Sequence, residues 1–150
     1  MKFTKPHFIA SVSSEAQEQK KLLISKYGDF DENDSDIFIV LGGDGFMLQA
    51  IKDYMDKKVP FFGINYGSIG FLMNAVSTDD LLTRLEKTQS VQLSPLIMTA
   101  YDQDDKFHTA KAINEVSLLR QTHQAAKLKV FIDDQVRLDE LICDGILLAT

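Results

Sequence analysis

The order of apolar and polar positions changes character once along this chain. Up to about residue 90, short apolar blocks alternate with stretches of helical period. Phe8-Ile9-Ala10-Ser11-Val12 reads as a first strand. Ser14 and Gln17 form a capping box for a helix with Ala16, Leu22, Leu23 and Tyr27 inward, and Gly28 ends it. Residues 29–36 are an acidic connector, read as solvated. Residues 37–41 are apolar on both faces, as a central parallel strand is. A second helix runs from Gly45 to about Lys57, and residues 59–65 form a third strand entered through Pro60. Ser77 and Thr78 then cap a helix reaching about Lys87, with Leu81, Leu82 and Leu85 inside. Strand, helix, strand, helix, strand predicts an α/β domain with a doubly wound parallel sheet.

From Val91 the helical period disappears. Short β-like runs follow at 91–101, 107–120, 127–133, 136–142 and 146–150, separated by turn material. The expected organisation is an α/β nucleotide-binding domain over 1–95, then the start of an all-β, sandwich-like domain over 96–150.

The candidate chemistry begins where the second strand ends. Phe38-Ile39-Val40-Leu41 runs into Gly42-Gly43-Asp44-Gly45 and then into a helix. A strand turning into a helix through glycines presents backbone N–H groups to an anion, and glycine permits φ > 0 and close approach of a phosphate. Asp44 suits that place if it takes a proton from an attacking hydroxyl or shares a divalent cation with phosphates. Alternatively, the four residues are a tight turn whose Asp caps the next helix. A second loop, from Asn65 to Met73, contains Gly67 and Gly70 and presents Phe71 and Leu72. It is either a ligand-facing loop offering Asn65 or a turn whose Phe71 is core. Both loops fall at the carboxyl ends of strands, where open α/β sheets bind ligands. In the β region, Asn114 and Glu115 interrupt an apolar run, at a bulge or facing a hydroxyl-rich ligand. Asp144-Gly145 enters another apolar run and reads alone as a hairpin turn.

Composition narrows the partners. At 150 residues and 45% hydrophobic, a packed core is expected. A net charge of -6 argues against a nucleic-acid surface. The single cysteine, Cys143, permits no internal disulfide, and with His7, His108 and His123 it gives no metal-ligand spacing. No apolar run approaches a membrane span, and Lys2 and Lys5 precede too short an apolar run for a signal peptide. A cytoplasmic protein is expected.

Gly42-Gly43-Asp44-Gly45, then Asn65-x-Gly-x-x-Gly70-Phe71-Leu72, then Asn114-Glu115, then Asp144-Gly145 together resemble the NAD kinase family, in order and at compatible spacing. The resemblance implies ATP-dependent phosphorylation of the adenosine ribose 2′-hydroxyl of NAD, with Mg²⁺ or another divalent cation, in a homodimer or tetramer. It implies Asp44 as catalytic carboxylate and Gly45 in the substrate loop. Phe71 and Leu72 would line the pocket, Asn114 and Glu115 would hold the adenosine, and Asp144 would contact the rest of the dinucleotide. Phe46 stands where the family usually has Thr, and Gln49 and Ile142 where it often has a basic residue. The family continues beyond the position of Thr150, so a fragment with little kinase activity of its own is expected. The other readings are a lipid kinase catalytic domain and a non-catalytic fragment that associates through open β edges.

Overall fold

The computed structural model describes residues 3–68, 70–77 and 79–150, so the expectations that fall on Lys2, Ile69 and Thr78 lie outside the described residues. The chain divides into two compact units, Met1–Val91 and Gln92–Thr150.

The first unit is built on a parallel sheet in the order β1 (Pro6–Ala10), β2 (Ile37–Gly42), β3 (Phe61–Asn65). Every residue of β2 is buried. Its alternation feeds two apolar clusters. Ile37, Ile39 and Leu41 pack with Phe8, Phe62 and Ile64, with Ala16 of α1 (Ser14–Tyr27), and with Leu81 and Leu85 of α3 (Leu81–Lys87). Val40 packs with Met47 and Ala50 of α2 (Asp44–Tyr54). Helix α2 ends in a short 3-10 turn, Met55–Lys57. Helices therefore cover the sheet on both sides, as a doubly wound arrangement requires.

Several boundaries differ from expectation, each for a local reason. Strand β1 starts at Pro6, where the missing N–H costs no ladder bond, and Val12 is fully exposed. Ser13, not Ser14, caps α1, accepting from the Ala16 N–H, while the Gln17 amide donates to the Ala10 and Ser11 carbonyls. Leu22 is exposed, since Leu23, Ile24 and Tyr27 share the inward stripe with Ala16. Helix α3 starts after Asp80, whose carboxylate accepts from Leu82 and Thr83, and Leu82 faces out. The acidic connector is more than a solvated link. Asp29 accepts from the Phe8 N–H, and Asp36 from the N–H groups of Thr4 and Lys5, so two carboxylates pin the edge strand.

The second unit is antiparallel. Strand β4 (Leu96–Tyr101) pairs with β5 (Phe107–Ala112), β6 (Glu115–Leu119) with β9 (Gly145–Ala149), and β7 (Ala126–Ile132) with β8 (Gln135–Cys143). The run expected over 107–120 is two strands, broken at Ile113 and Asn114. Strands β7 and β8 join through Asp133 and Asp134, at φ 52° and 59°, the mirror-image turn that matches strand twist. No described residue of this unit is fully buried. Among the described residues, no helix is long and apolar enough to cross a membrane.

Candidate functional site

Two loops at the carboxyl ends of β2 and β3 meet through glycines. The Tyr66 N–H donates to the Gly42 carbonyl at 2.8 Å. A Cβ on Gly67 would lie 3.1 Å from the Gly43 Cα, and a Cβ on Gly70 would lie 2.3 Å from Asp44 Oδ1. Close approach, rather than backbone handedness, is what these glycines provide. Gly42, Gly43, Gly45 and Gly67 all lie outside the left-handed region, which corrects the φ > 0 reason given above.

Asp44 stands in the first turn of α2 but does not cap it. The helix N-cap is Gly43, with no side-chain cap hydrogen bond. The Asp44 carboxylate instead crosses to the second loop. Its Oδ2 accepts from the Phe71 N–H at 2.7 Å and its Oδ1 from the Leu72 N–H at 3.1 Å. A Cβ on Gly45 would meet nothing within 4 Å, and Gly45 is exposed. The first turn of α2 thus has an open side beside a carboxylate, with helix N–H groups uncapped.

The second loop is tied at both ends. Asn65 spends its amide within it, donating to the Ser68 carbonyl and accepting from the Gly67 N–H. Asn74 bridges back to Ile64, and both its backbone and side-chain N–H groups donate to the Gly63 carbonyl. Leu72 packs into the α2-side cluster, whereas Phe71 is fully exposed and so is not core. Tyr66 is half-buried, and burial pushes its hydroxyl pKa up. A cavity of about 110 Å³ bounded by Gln19, Tyr27, Tyr66 and Arg84 holds none of the expected site residues.

In the second unit, Asn114 and Glu115 are exposed at one end of the β6–β9 ladder. The Thr150 N–H and hydroxyl donate to the Asn114 carbonyl. Asp144 lies at the other end, opposite Arg120, about 17–20 Å away along the strands at their usual rise. It is no hairpin turn, because β9 pairs with β6 and not with β8. Arg120 holds it, the Arg120 Nε–H donating to Asp144 Oδ1 at 2.5 Å and the Arg120 N–H to the Asp144 carbonyl. The structure therefore groups Asp44, Gly45, Phe71 and Leu72 in one unit, and separates Asn114 and Glu115 from Asp144 within the other. Arg120 and Asn74 as partners, and the contact of Gly70 with Asp44, go beyond the sequence reading, which places Gly70 in a loop that either faces a ligand or forms a turn. Their contacts are long-range, and no local pattern marks them.

The fold and site define an α/β unit of a three-stranded parallel sheet followed by antiparallel strands, with one acid among glycines at the sheet's carboxyl edge. The sequence model of the ATP-NAD kinase N-terminal domain matches residues 1–90, and the chain belongs to the NAD kinase family. It is 47% identical over 147 residues to an NAD kinase of Caulobacter vibrioides, covering 98% of this chain and 56% of that protein. It is 48% identical over 149 residues to one of Rhizobium meliloti, covering 99% and 58%. The chain thus spans a little over half the length of these curated relatives. Its fold is also similar to the crystal structure of an NAD kinase from Archaeoglobus fulgidus in complex with ATP, with TM-score 0.65 and 22% identity, over 97% of this chain and 60% of that one.

Proposed function

We propose that this chain carries the catalytic acid and part of the substrate surface of an NAD kinase. The reaction transfers the terminal phosphoryl of ATP to the adenosine 2′-hydroxyl of NAD. The 2′-oxygen forms the new bond to phosphorus, its proton passes to the Asp44 carboxylate, and the bridging P–O bond breaks to release ADP. The observation that carries the reading is Asp44. Its carboxylate is held off the helix terminus it would otherwise cap, beside the open face of Gly45.

Among the described residues, each Asp44 oxygen accepts one N–H and keeps a further acceptor direction, which suits both a sugar hydroxyl and a cation. A single carboxylate is also an ordinary protein contribution to Mg²⁺, which completes its shell with phosphates and water. Asp44 would hold that ion, which would supply charge neutralisation on the phosphates. Residues 1–95 form the nucleotide-binding domain in this reading and 96–150 the NAD-contacting β region. Asn114 and Glu115 bind the adenosine, Glu115 by accepting from ribose hydroxyls. Asp144 contacts the rest of the dinucleotide, while Phe71 and Leu72 line the pocket. The assembly is a cytoplasmic homo-oligomer, dimer or tetramer, with no membrane or nucleic-acid partner.

The test is NADP formation from NAD and ATP. It is run on this chain and on this chain joined to the remaining residues of the Caulobacter vibrioides relative, each with Asp44 and with Asp44→Asn. The joined protein is expected to be active and the chain alone to have little activity. Asp44→Asn should lower kcat by roughly 10²–10⁴-fold, the usual contribution of a positioned base. A variant within threefold of the parent would remove Asp44 from the chemistry.

A further inference from the structure

The orientation of Asp44 is set from outside its own helix. Among the described residues, the donors to its two oxygens are the consecutive amides of Phe71 and Leu72. Asp χ2 is otherwise a broad torsion, and one donor on each oxygen fixes the plane of the carboxylate. The donors are themselves anchored. Leu72 is packed against the cluster of Val40, Met47 and Ala50, and Asn74, two residues on, is bonded to β3. The approach depends on residue 70. A Cβ there would lie 2.3 Å from Asp44 Oδ1, 2.5 Å from Cγ and 2.7 Å from Oδ2. All three atoms belong to the carboxylate group, so a methyl at 70 displaces either the acid or the segment that holds it.

We propose that Gly70 is a positioning residue for Asp44. By carrying no side chain, it lets the Phe71 and Leu72 amides clamp the carboxylate in one orientation, with an acceptor direction left on each oxygen for the substrate hydroxyl. The proposal rests on Asp44 being the proton acceptor. It adds that the loop after β3, rather than the helix bearing Asp44, sets that acid's direction.

The clamp is read without activity by amide hydrogen exchange on the whole chain. Asp44→Ala removes both acceptors, and Phe71 and Leu72 should exchange at least about tenfold faster, the equivalent of one charge-assisted hydrogen bond. Gly70→Ala should do the same while the β2 amides keep their protection. A coupling test follows. If the methyl at 70 collides with the carboxylate, Gly70→Ala lowers the melting temperature in the parent but much less in an Asp44→Ala background. In the joined protein described above, Gly70→Ala should lower kcat by about 10²-fold, the scale of an ångström-sized misplacement, with KM for NAD and ATP nearly unchanged. Unchanged exchange at Phe71 and Leu72 in Asp44→Ala, which leaves Gly70 in place, overturns the clamp even if Gly70→Ala fails to fold. So does a melting loss from Gly70→Ala equal in both backgrounds. An intact clamp with a fully active Asp44→Asn enzyme instead overturns the base assignment, and with it the catalytic meaning of Gly70.

Discussion

Glycines in one short loop can be told apart by what a methyl group would meet. At Gly42 an added Cβ lies 2.9 Å from the Phe46 ring, and at Gly45 it meets nothing within 4 Å. Gly45 also sits in the first turn of α2 outside the left-handed region, where alanine restricts the unfolded chain without strain in the folded one. Gly45→Ala should therefore raise stability by about 0.4–1 kcal/mol in denaturant unfolding, while KM for NAD or ATP rises in the joined protein. A fall in stability would mean that the backbone, not the ligand, requires glycine there. A second residue-scale prediction concerns Asp80. The Lys26 ammonium at 2.8 Å and the Tyr27 hydroxyl at 2.6 Å hold its carboxyl down to about 2 from 3.8, and Lys26 is raised in turn. A depressed carboxyl contributes stability above its unfolded pKa and loses it as pH falls through the folded one. The loss should therefore fall between about pH 3.8 and pH 2, and be modest because both groups are well exposed. Melting temperatures across that window should drop less steeply in Asp80→Asn than in the parent. Asp44 itself was legible from its place after an apolar strand. Its clamp was not, because the donors are backbone amides 27 and 28 residues on, and amides carry no residue signature.

Among the elements, β2 was legible because burial on both faces leaves an unbroken apolar run, and Gly28 ends α1 at φ 75° as glycine should. Adjacent candidates of equal chemistry hid the rest. Ser13 and Ser14 both qualify as caps, and only the fold chooses between them. The partner of β9 was also hidden. Asp144-Gly145 has the composition of a hairpin turn, but the strand pairs with β6, so Gly145 serves a different purpose. A Cβ there would lie 2.2 Å from the Leu118 carbonyl oxygen, an atom of the paired backbone. Gly63 looks equally crowded, with a Cβ 2.4 Å from Met73 Sδ and 2.5 Å from Met47 Cε, but those are the ends of flexible side chains. The two substitutions should therefore differ. Gly63→Ala should cost about 1 kcal/mol, the low end for overpacking, with the sheet intact. Gly145→Ala should break the β6–β9 ladder, seen as loss of the cross-strand contact between Leu118 and Ile146 in NMR spectra. Retention of that contact would show that the ladder can shift to admit a methyl group.

At the scale of the whole molecule, the two units have unequal means of staying folded. Every fully buried apolar residue described belongs to the first, from Phe8 to Leu85. The second has faces that are at most half-buried, on β4 and β7, while Leu138 and Ile142 on β8, and Ile146, Leu147 and Leu148 on β9, are all substantially exposed. Backbone pairing alone gives little net stability, because the unfolded strands bond water instead. Two-stranded sheets need a hydrophobic face packed on something. Hydrogen exchange should then be graded, since amides are protected only to the free energy of the opening that exposes them. Those of β2 should exchange only through global unfolding. Those of β4 to β9 should exchange by local opening, on the order of 100-fold faster or more. The same exposed strands are where a second copy would pack, and burial between copies adds protection by mass action. Repeating the exchange over a wide concentration range separates the two cases. Protection that rises in β6, β8 and β9 with concentration, while β2 stays constant, assigns the exposed face to self-association. Protection in the second unit equal to that of β2 at the lowest concentration would contradict the inequality between the units.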